Sequence, residues 1–247
     1  MTDFLNNPYC PERKISLAFI GRAPDEIKSF IESFSIELIT LNTNDKIDKS
    51  IENHADVNVL HTGRGTFSLD VSQCEVFKNF FEPGGAVKLF ETEVSGFYPN
   101  DCKLNFALIG NNLFGKLNVL DDSIKSFGFN NGWNFINVNQ GYAKCSTCIV
   151  NEKSIITDDI CIHRAAQENS LDSLLIEKGD IILDEKHYGF IGGTSTLIDK
   201  NHLLFFGDIR KHRSFEQIDI YLKKHNCKYS FIENYPLTDI GGIVPIC

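Results

Sequence analysis

GYAKCSTCIV (Gly141–Val150) and GFIGGTSTLI (Gly189–Ile198) can be laid on each other almost residue for residue. A repeat of this length marks one supersecondary unit that cannot bury its apolar face alone and must pack against its copies. Reading on from Thr194, an apolar strand reaches Asp199, a turn follows at Asp199-Lys200-Asn201, and a second strand runs from Leu203 to Phe206, which makes a hairpin. Phe215, Ile218 and Leu222 then fall at helical spacing in a run ending near His225, and Tyr229 to Ile232 alternates as a third strand. The unit is strand, strand, helix, strand.

The same order recurs upstream. One copy reads Thr147 to Val150, Ser154 to Thr157, a helix from about Cys161 to Asn169, and Leu174 to Ile176. Another reads Asn105 to Ile109, Leu113 to Val119, a helix after Asp122, and Asn134 to Val138. A looser copy starts near Val57, with Thr66 to Val71, a helix through Phe77, and Val87 to Phe90. The fifth is split: Ile15 to Ile20, a helix opened by Pro24 and running to Phe34, and Ile36 to Leu41 lack a first strand. DIGGIVPI, from Asp239, matches FIGGTSTL, from Phe190, and supplies it. The pattern predicts five α/β modules in a ring closed by the C-terminal strand pairing with the N-terminal strand, which leaves no edge exposed. Residues 1–13 read as an arm or frayed end and residues 14–247 as a single domain. An ordinary doubly wound α/β domain is the alternative.

With 247 residues, 42% of them hydrophobic, the chain can bury a substantial core, to which Trp133 and the phenylalanines are assigned. The net charge of −9, with no dense run of Lys or Arg, argues against nucleic acid as the main partner. No apolar stretch approaches the roughly 20 residues of a membrane span, and no basic-then-apolar leader opens the chain, so a cytoplasmic protein is expected. Its eight cysteines read as reduced thiols, mostly small core residues.

Modules of this kind, arranged in a closed circle, resemble the guanidino-modifying-enzyme fold, also called the pentein or five-bladed α/β propeller. YPNDCKLNFALIG, QGYAKCSTCIV, YGFIGGTSTLI and DIGGIVPI resemble in particular an uncharacterised bacterial family assigned to that fold. The resemblance spans about Lys14 to the C-terminus. It implies a small-molecule ligand of the guanidino or amidino class, bound where the first strands of the modules converge on the axis, and no cofactor. In catalytic members a cysteine near the C-terminus attacks the guanidinium carbon, a histidine moves protons and carboxylates hold the planar cation. The cysteine position corresponds to Val244, Pro245 and Ile246, and the histidine-x-acid signature of a middle module to Lys144 and Ser146. Neither matches. Cys247, the last residue, is read as incidental.

Repeat position makes Asp101, Asn105, Lys144, Cys145, Ser146, Thr194 and Asp239 candidates for one polar axial pocket, with Arg22 a further candidate for an anionic group. Cys145 is the surviving nucleophile, with Lys144 as proton shuttle or thiolate partner and Asp101 or Asp239 as clamp; a buried structural cysteine and turn-forming aspartates are the bland readings. Gly192, Gly193, Gly241 and Gly242 either allow close backbone approach or simply make tight strand starts. Cys145, Cys148, Cys161 and His163 have the composition of a tetrahedral zinc site, against which residues three apart on a strand point to opposite faces. Asp122, Asp159 and Asp208 read as helix caps, with His212 beside the last of these, and His61 as a loop histidine. A binding protein with an axial polar pocket leads; an enzyme acting through Cys145 on a guanidino, amidino or amide group comes next, and a macromolecular interaction module using the acidic surface third.

Overall fold

The computed structural model describes residues 3–81, 87–183 and 188–247. The chain opens with β1 (Leu17–Ile20), α1 (Asp25–Glu32) and β2 (Glu37–Thr40). The single-turn helix α2 (Ala55–Asn58) leads into β3 (Val59–Gly63), β4 (Thr66–Asp70), α3 (Cys74–Phe80) and β5 (Lys88–Thr92). Next come β6 (Ala107–Ile109), β7 (Asn112–Gly115), α4 (Asp122–Asn130) and β8 (Asn134–Asn137). They are followed by β9 (Thr147–Asn151), β10 (Ser154–Thr157), α5 (Ile160–Glu168) and β11 (Asp172–Leu175). The chain ends with β12 (Ser195–Asp199), β13 (His202–Phe205), α6 (Phe215–Lys224), β14 (Lys228–Phe231) and β15 (Ile243–Pro245).

These strands form five three-stranded sheets, each with its middle strand antiparallel to one neighbour and parallel to the other. The split module pairs as its sequence predicts. β15 runs antiparallel to β1, with Ala18 opposite Pro245 and Ile20 opposite Ile243. The helices α1, α3, α4, α5 and α6 each cross from a middle strand to its parallel partner, burying an apolar stripe such as Ile27 and Ile31 in α1 or Ile218 and Leu222 in α6.

Asp159 caps α5 as expected, accepting from the N–H groups of Cys161 and Ile162 at 2.8 and 3.0 Å. Asp159→Ala should cost about 1 kcal/mol, lowering the melting temperature by about 2–4 °C; an unchanged melting curve would deny the cap its role. Asp208 caps a short 3₁₀ turn, accepting from Arg210. Asp122 is not a cap: Asp121 is extended and accepts from Ser123, so Asp122 already belongs to the first helical turn. The second strand of the third module stops at Gly115, short of Val119, where the Phe106 ring fills the space a side chain would need.

The N-terminal segment has no regular structure from residue 3 to 13, yet it is not frayed. Leu5, Tyr9 and Cys10 are buried, the Leu5 N–H donates to Ile246 O at 3.1 Å, and Arg64 N–H donates to Leu5 O at 2.7 Å. Phe19, Phe67 and Phe77 are fully buried, with the rings of Phe19 and Phe77 stacked at 4.5 Å. Trp133 departs from its core assignment: it is half-buried against Phe127 and Phe135, and Phe97 and Phe129 are largely exposed.

Candidate functional site

The residues that precede each first strand are tied to one another by a circuit of hydrogen bonds. Asn105 Nδ2 donates to Asp56 O at 3.2 Å, and the N–H groups of Lys144 and Cys145 donate to Asn105 Oδ1 at 2.9 and 3.1 Å. Gly193 N–H donates to Cys145 O, Gly242 N–H to Gly193 O, and Asp56 N–H to Gly241 O, returning to the start. Two devices let backbone come this close. Extra atoms at Gly192 would strike the carbonyl oxygens of Lys144 and Thr147, both 2.4 Å away, whereas Gly241 and Gly242 hold φ of +71° and +63°.

Cys145 sits inside this circuit, and only 2% of its surface is exposed. Its thiol donates to both oxygens of Asp56, at 3.0 and 3.1 Å, and its sulfur accepts from Asn105 Nδ2 at 3.1 Å. His54 Nδ1 lies 3.8 Å from Asp239 Oδ1, and the donor atoms of His54, Asp56 and Cys145 all fall within 4.8 Å of one another. Asp239 is held rigidly, accepting from Phe190 N–H at 2.8 Å and Gly241 N–H at 2.9 Å, so the turn role foreseen for it coexists with a place in the cluster.

Burial dominates the electrostatics. It raises the Asp56 carboxyl to about 6, against the pull of Lys144 and His54. Burial, reinforced by the Asp56 and Asp239 charges, holds the Cys145 thiol well above its ordinary range, with Lys144 opposing. A thiol so placed is protonated at neutral pH.

The other expected residues divide. Lys144 is buried, but its ammonium donates to Gly192 O at 3.4 Å and lies 5.8 Å from the centre of the Tyr9 ring. A void of about 10 Å³, room for one water molecule, separates these groups from Ser195 and Pro245. Asp101 accepts from the Tyr142 hydroxyl at 2.7 Å, burial raises its carboxyl above the ordinary range, and its other oxygen is buried without a partner among the described residues. Ser146 and Thr194 are fully buried with unpartnered hydroxyls among the described residues. Arg22 is exposed ahead of α1 and takes no part in the buried cluster.

The four-residue zinc arrangement does not form: Cys148 is packed in the apolar core, Cys161 is exposed on α5, and His163 Nδ1 pairs with Ser173 Oγ at 3.0 Å. Cys247 is pinned by its carbonyl, which accepts from Ser16 and Leu17 N–H, and stands outside the cluster. His54 and Asp56 were not among the expected residues. Their signal is a His-x-Asp triplet, His54-Ala55-Asp56, just ahead of the point where the loosest repeat becomes recognisable.

His61 is not a loop residue but lies in β3, fully buried, stacked on Phe67 at 4.0 Å and bonded through Nδ1 to Pro245 O at 2.7 Å. Burial lowers it to about 3. The unfolded chain, whose histidine titrates near its ordinary 6.5, takes up this proton first, so the contribution to stability is complete above that pH and falls as pH drops towards 3. Relative to His61→Gln, the wild-type chain should lose about 2 kcal/mol between pH 6.5 and 5; parallel urea-melt stabilities across that range would refute this.

No helix among the described residues is long and apolar enough to cross a membrane. No curated protein matches the sequence. Solved structures similar to it include an inosamine-phosphate amidinotransferase from Streptomyces griseus, 8% identical, TM-score 0.62, covering 99% of this chain and 96% of that one. An amidinotransferase of the saxitoxin biosynthetic pathway of Microseira wollei is 10% identical, TM-score 0.61, with 98% and 97% covered. A DDAH from Pseudomonas aeruginosa, solved with citrulline, is 8% identical, TM-score 0.57, with 93% and 96% covered. At these identities the likeness establishes the fold, that of the guanidino-modifying enzymes or penteins. A family model, described as a family of unknown function (DUF6873), matches residues 19–244. The chain belongs to the DUF6873 family, and it carries the pentein fold.

Proposed function

We propose that the chain is a cysteine-dependent enzyme that cleaves or transfers a C–N bond of a guanidino or amidino group, with Cys145 as nucleophile. The observation that carries this reading is the Cys145 thiol donating to Asp56 beside His54 and Asp239, inside the buried circuit of strand starts. We take the five sheets as the blades of a closed five-bladed propeller, supported by the β1–β15 pairing and by the circuit itself. The histidine-x-acid signature and the cysteine implied by the resemblance stand two modules apart. His54-x-Asp56 and Cys145 are likewise two sheets apart, before β3 and β9, so the same residue types are set two modules earlier in the chain.

In this reading a planar cation enters between Asp56 and Asp239, and its charge favours the thiolate. The thiol proton passes to Asp56, the sulfur adds to the central carbon, and His54 delivers a proton to the departing amine; water or a second amine then releases the sulfur. Lys144 acts through its field. Residues 14–247 are taken as one domain with residues 3–13 as an arm tied across it, and the protein as cytoplasmic, in keeping with its eight unpaired thiols.

The test is a panel of arginine, agmatine, methylated arginines and simple amidines, read by amine release and by thermal shift. Release of amine from at least one compound is expected; silence in both readouts would overturn the proposal. A binding-only role is the second reading, favoured by the raised thiol pKa. It would give a thermal shift without turnover.

A further inference from the structure

We infer that His54, Asp56 and Cys145 form a binding site for one divalent cation of the zinc class. A thiolate, an imidazole and a carboxylate make the borderline-soft donor set that zinc prefers, and each of these side chains is at least nine-tenths buried. The second observation is an orphan: His54 Nδ1, buried, has no hydrogen-bond partner among the described residues, although it lies within the donor cluster. Zinc bonds of about 2.0–2.3 Å place tetrahedral donors roughly 3.3–3.7 Å apart. Cys145 Sγ and Asp56 are already 3.0 Å apart, and the widest separation is at most 4.8 Å, so small side-chain rotations bring the three donors to bonding distance and leave the fourth tetrahedral position to water.

The surroundings suit an ion. Asn105 Nδ2 bonds the sulfur at 3.1 Å and Asn105 also bonds the Asp56 carbonyl, which fixes two of the ligands from outside the shell. Asp239 faces the third ligand at 3.8 Å. Binding converts the thiol to thiolate and releases its proton to solvent. Two carboxylates and a thiolate then face Lys144 and a dication, and the charges balance. The site coincides with the place assigned above to the cationic group, so ion and substrate would compete; the inference itself rests on the donor geometry and not on that reaction.

The experiment uses the full chain, stripped of metal and titrated with Co²⁺. One equivalent is expected to produce the near-ultraviolet thiolate-to-cobalt charge-transfer band, absent in Cys145→Ser, retained in Cys161→Ser, and requiring at least about tenfold more Co²⁺ in His54→Ala. No such band in the wild-type chain, or one lost in Cys161→Ser and kept in Cys145→Ser, would overturn the site. If Cys145→Ser fails to fold by circular dichroism, the wild-type protein decides: Zn²⁺ should slow alkylation of Cys145 at least about tenfold, mapped by peptide mass, and unchanged alkylation would refute it. A cobalt band without turnover of any guanidino compound would retain the metal site and sink the proposed reaction.

Discussion

Cys145→Ser is expected to lower turnover of the best guanidino or amidino substrate by on the order of 10⁴-fold or more, while the melting temperature stays within a few degrees of wild type. The hydroxyl occupies the same buried position and can donate to Asp56, so the hydrogen-bonded frame built on Asn105, Lys144 and Gly193 survives. What disappears is the sulfur, because a serine hydroxyl beside two carboxylates has no means of reaching the anionic form. Asp56→Asn should follow with a smaller loss of about 10²–10³-fold, since it removes the acceptor of the thiol hydrogen bond and one arm of the proposed cation clamp. Turnover by Cys145→Ser within tenfold of wild type would move the chemistry to another residue.

Gly192→Ala is expected to destabilise the protein by about 3 kcal/mol or more, lowering the melting temperature by at least about 6 °C. The added methyl group would stand 2.4 Å from the carbonyl oxygens of both Lys144 and Thr147, and these belong to backbone that cannot swing aside. Relief requires the β9 and β12 sheets to separate, which breaks the bond from Gly193 N–H to Cys145 O and loosens the frame around Cys145. The variant should therefore lose activity even where it remains folded. A melting curve and activity indistinguishable from wild type would show that the strand starts are not in tight contact.

The repeat made the fold legible because each module states its strand, turn and helix signals locally, and because the unmatched DIGGIVPI pointed to β1 as its partner. Of the residues grouped by repeat position, Asn105, Lys144 and Cys145 are bonded to one another and Asp239 lies beside His54, because equivalent strand starts lie side by side, whereas Asp101 pairs instead with Tyr142. His54 and Asp56 were hidden because they lie just ahead of the loosest copy of the repeat. There the single-turn helix α2 carries Asp56 towards the cluster, and the alternating pattern becomes readable only at Val57, past both residues. Cys148 and Cys161 have a zinc-like spacing, yet one strand face and one exposed helix face carry their sulfurs apart. Asp121 and Asp122 are neighbours of the same type, and only the extended backbone at Asp121 decides which of them caps α4.

A cationic and a neutral alkylating agent of nearly equal size, chloroacetamidine and chloroacetamide, test the central claim most directly. Applied to the wild-type protein at neutral pH, with modified residues located by peptide mass, chloroacetamidine should label Cys145 at least about 100-fold faster than chloroacetamide, because its planar cation is held by Asp56 and Asp239 and favours the thiolate. Exposed Cys161 should show no such preference. Equal rates at Cys145, or labelling that passes over Cys145 and falls only on Cys161, would contradict the account.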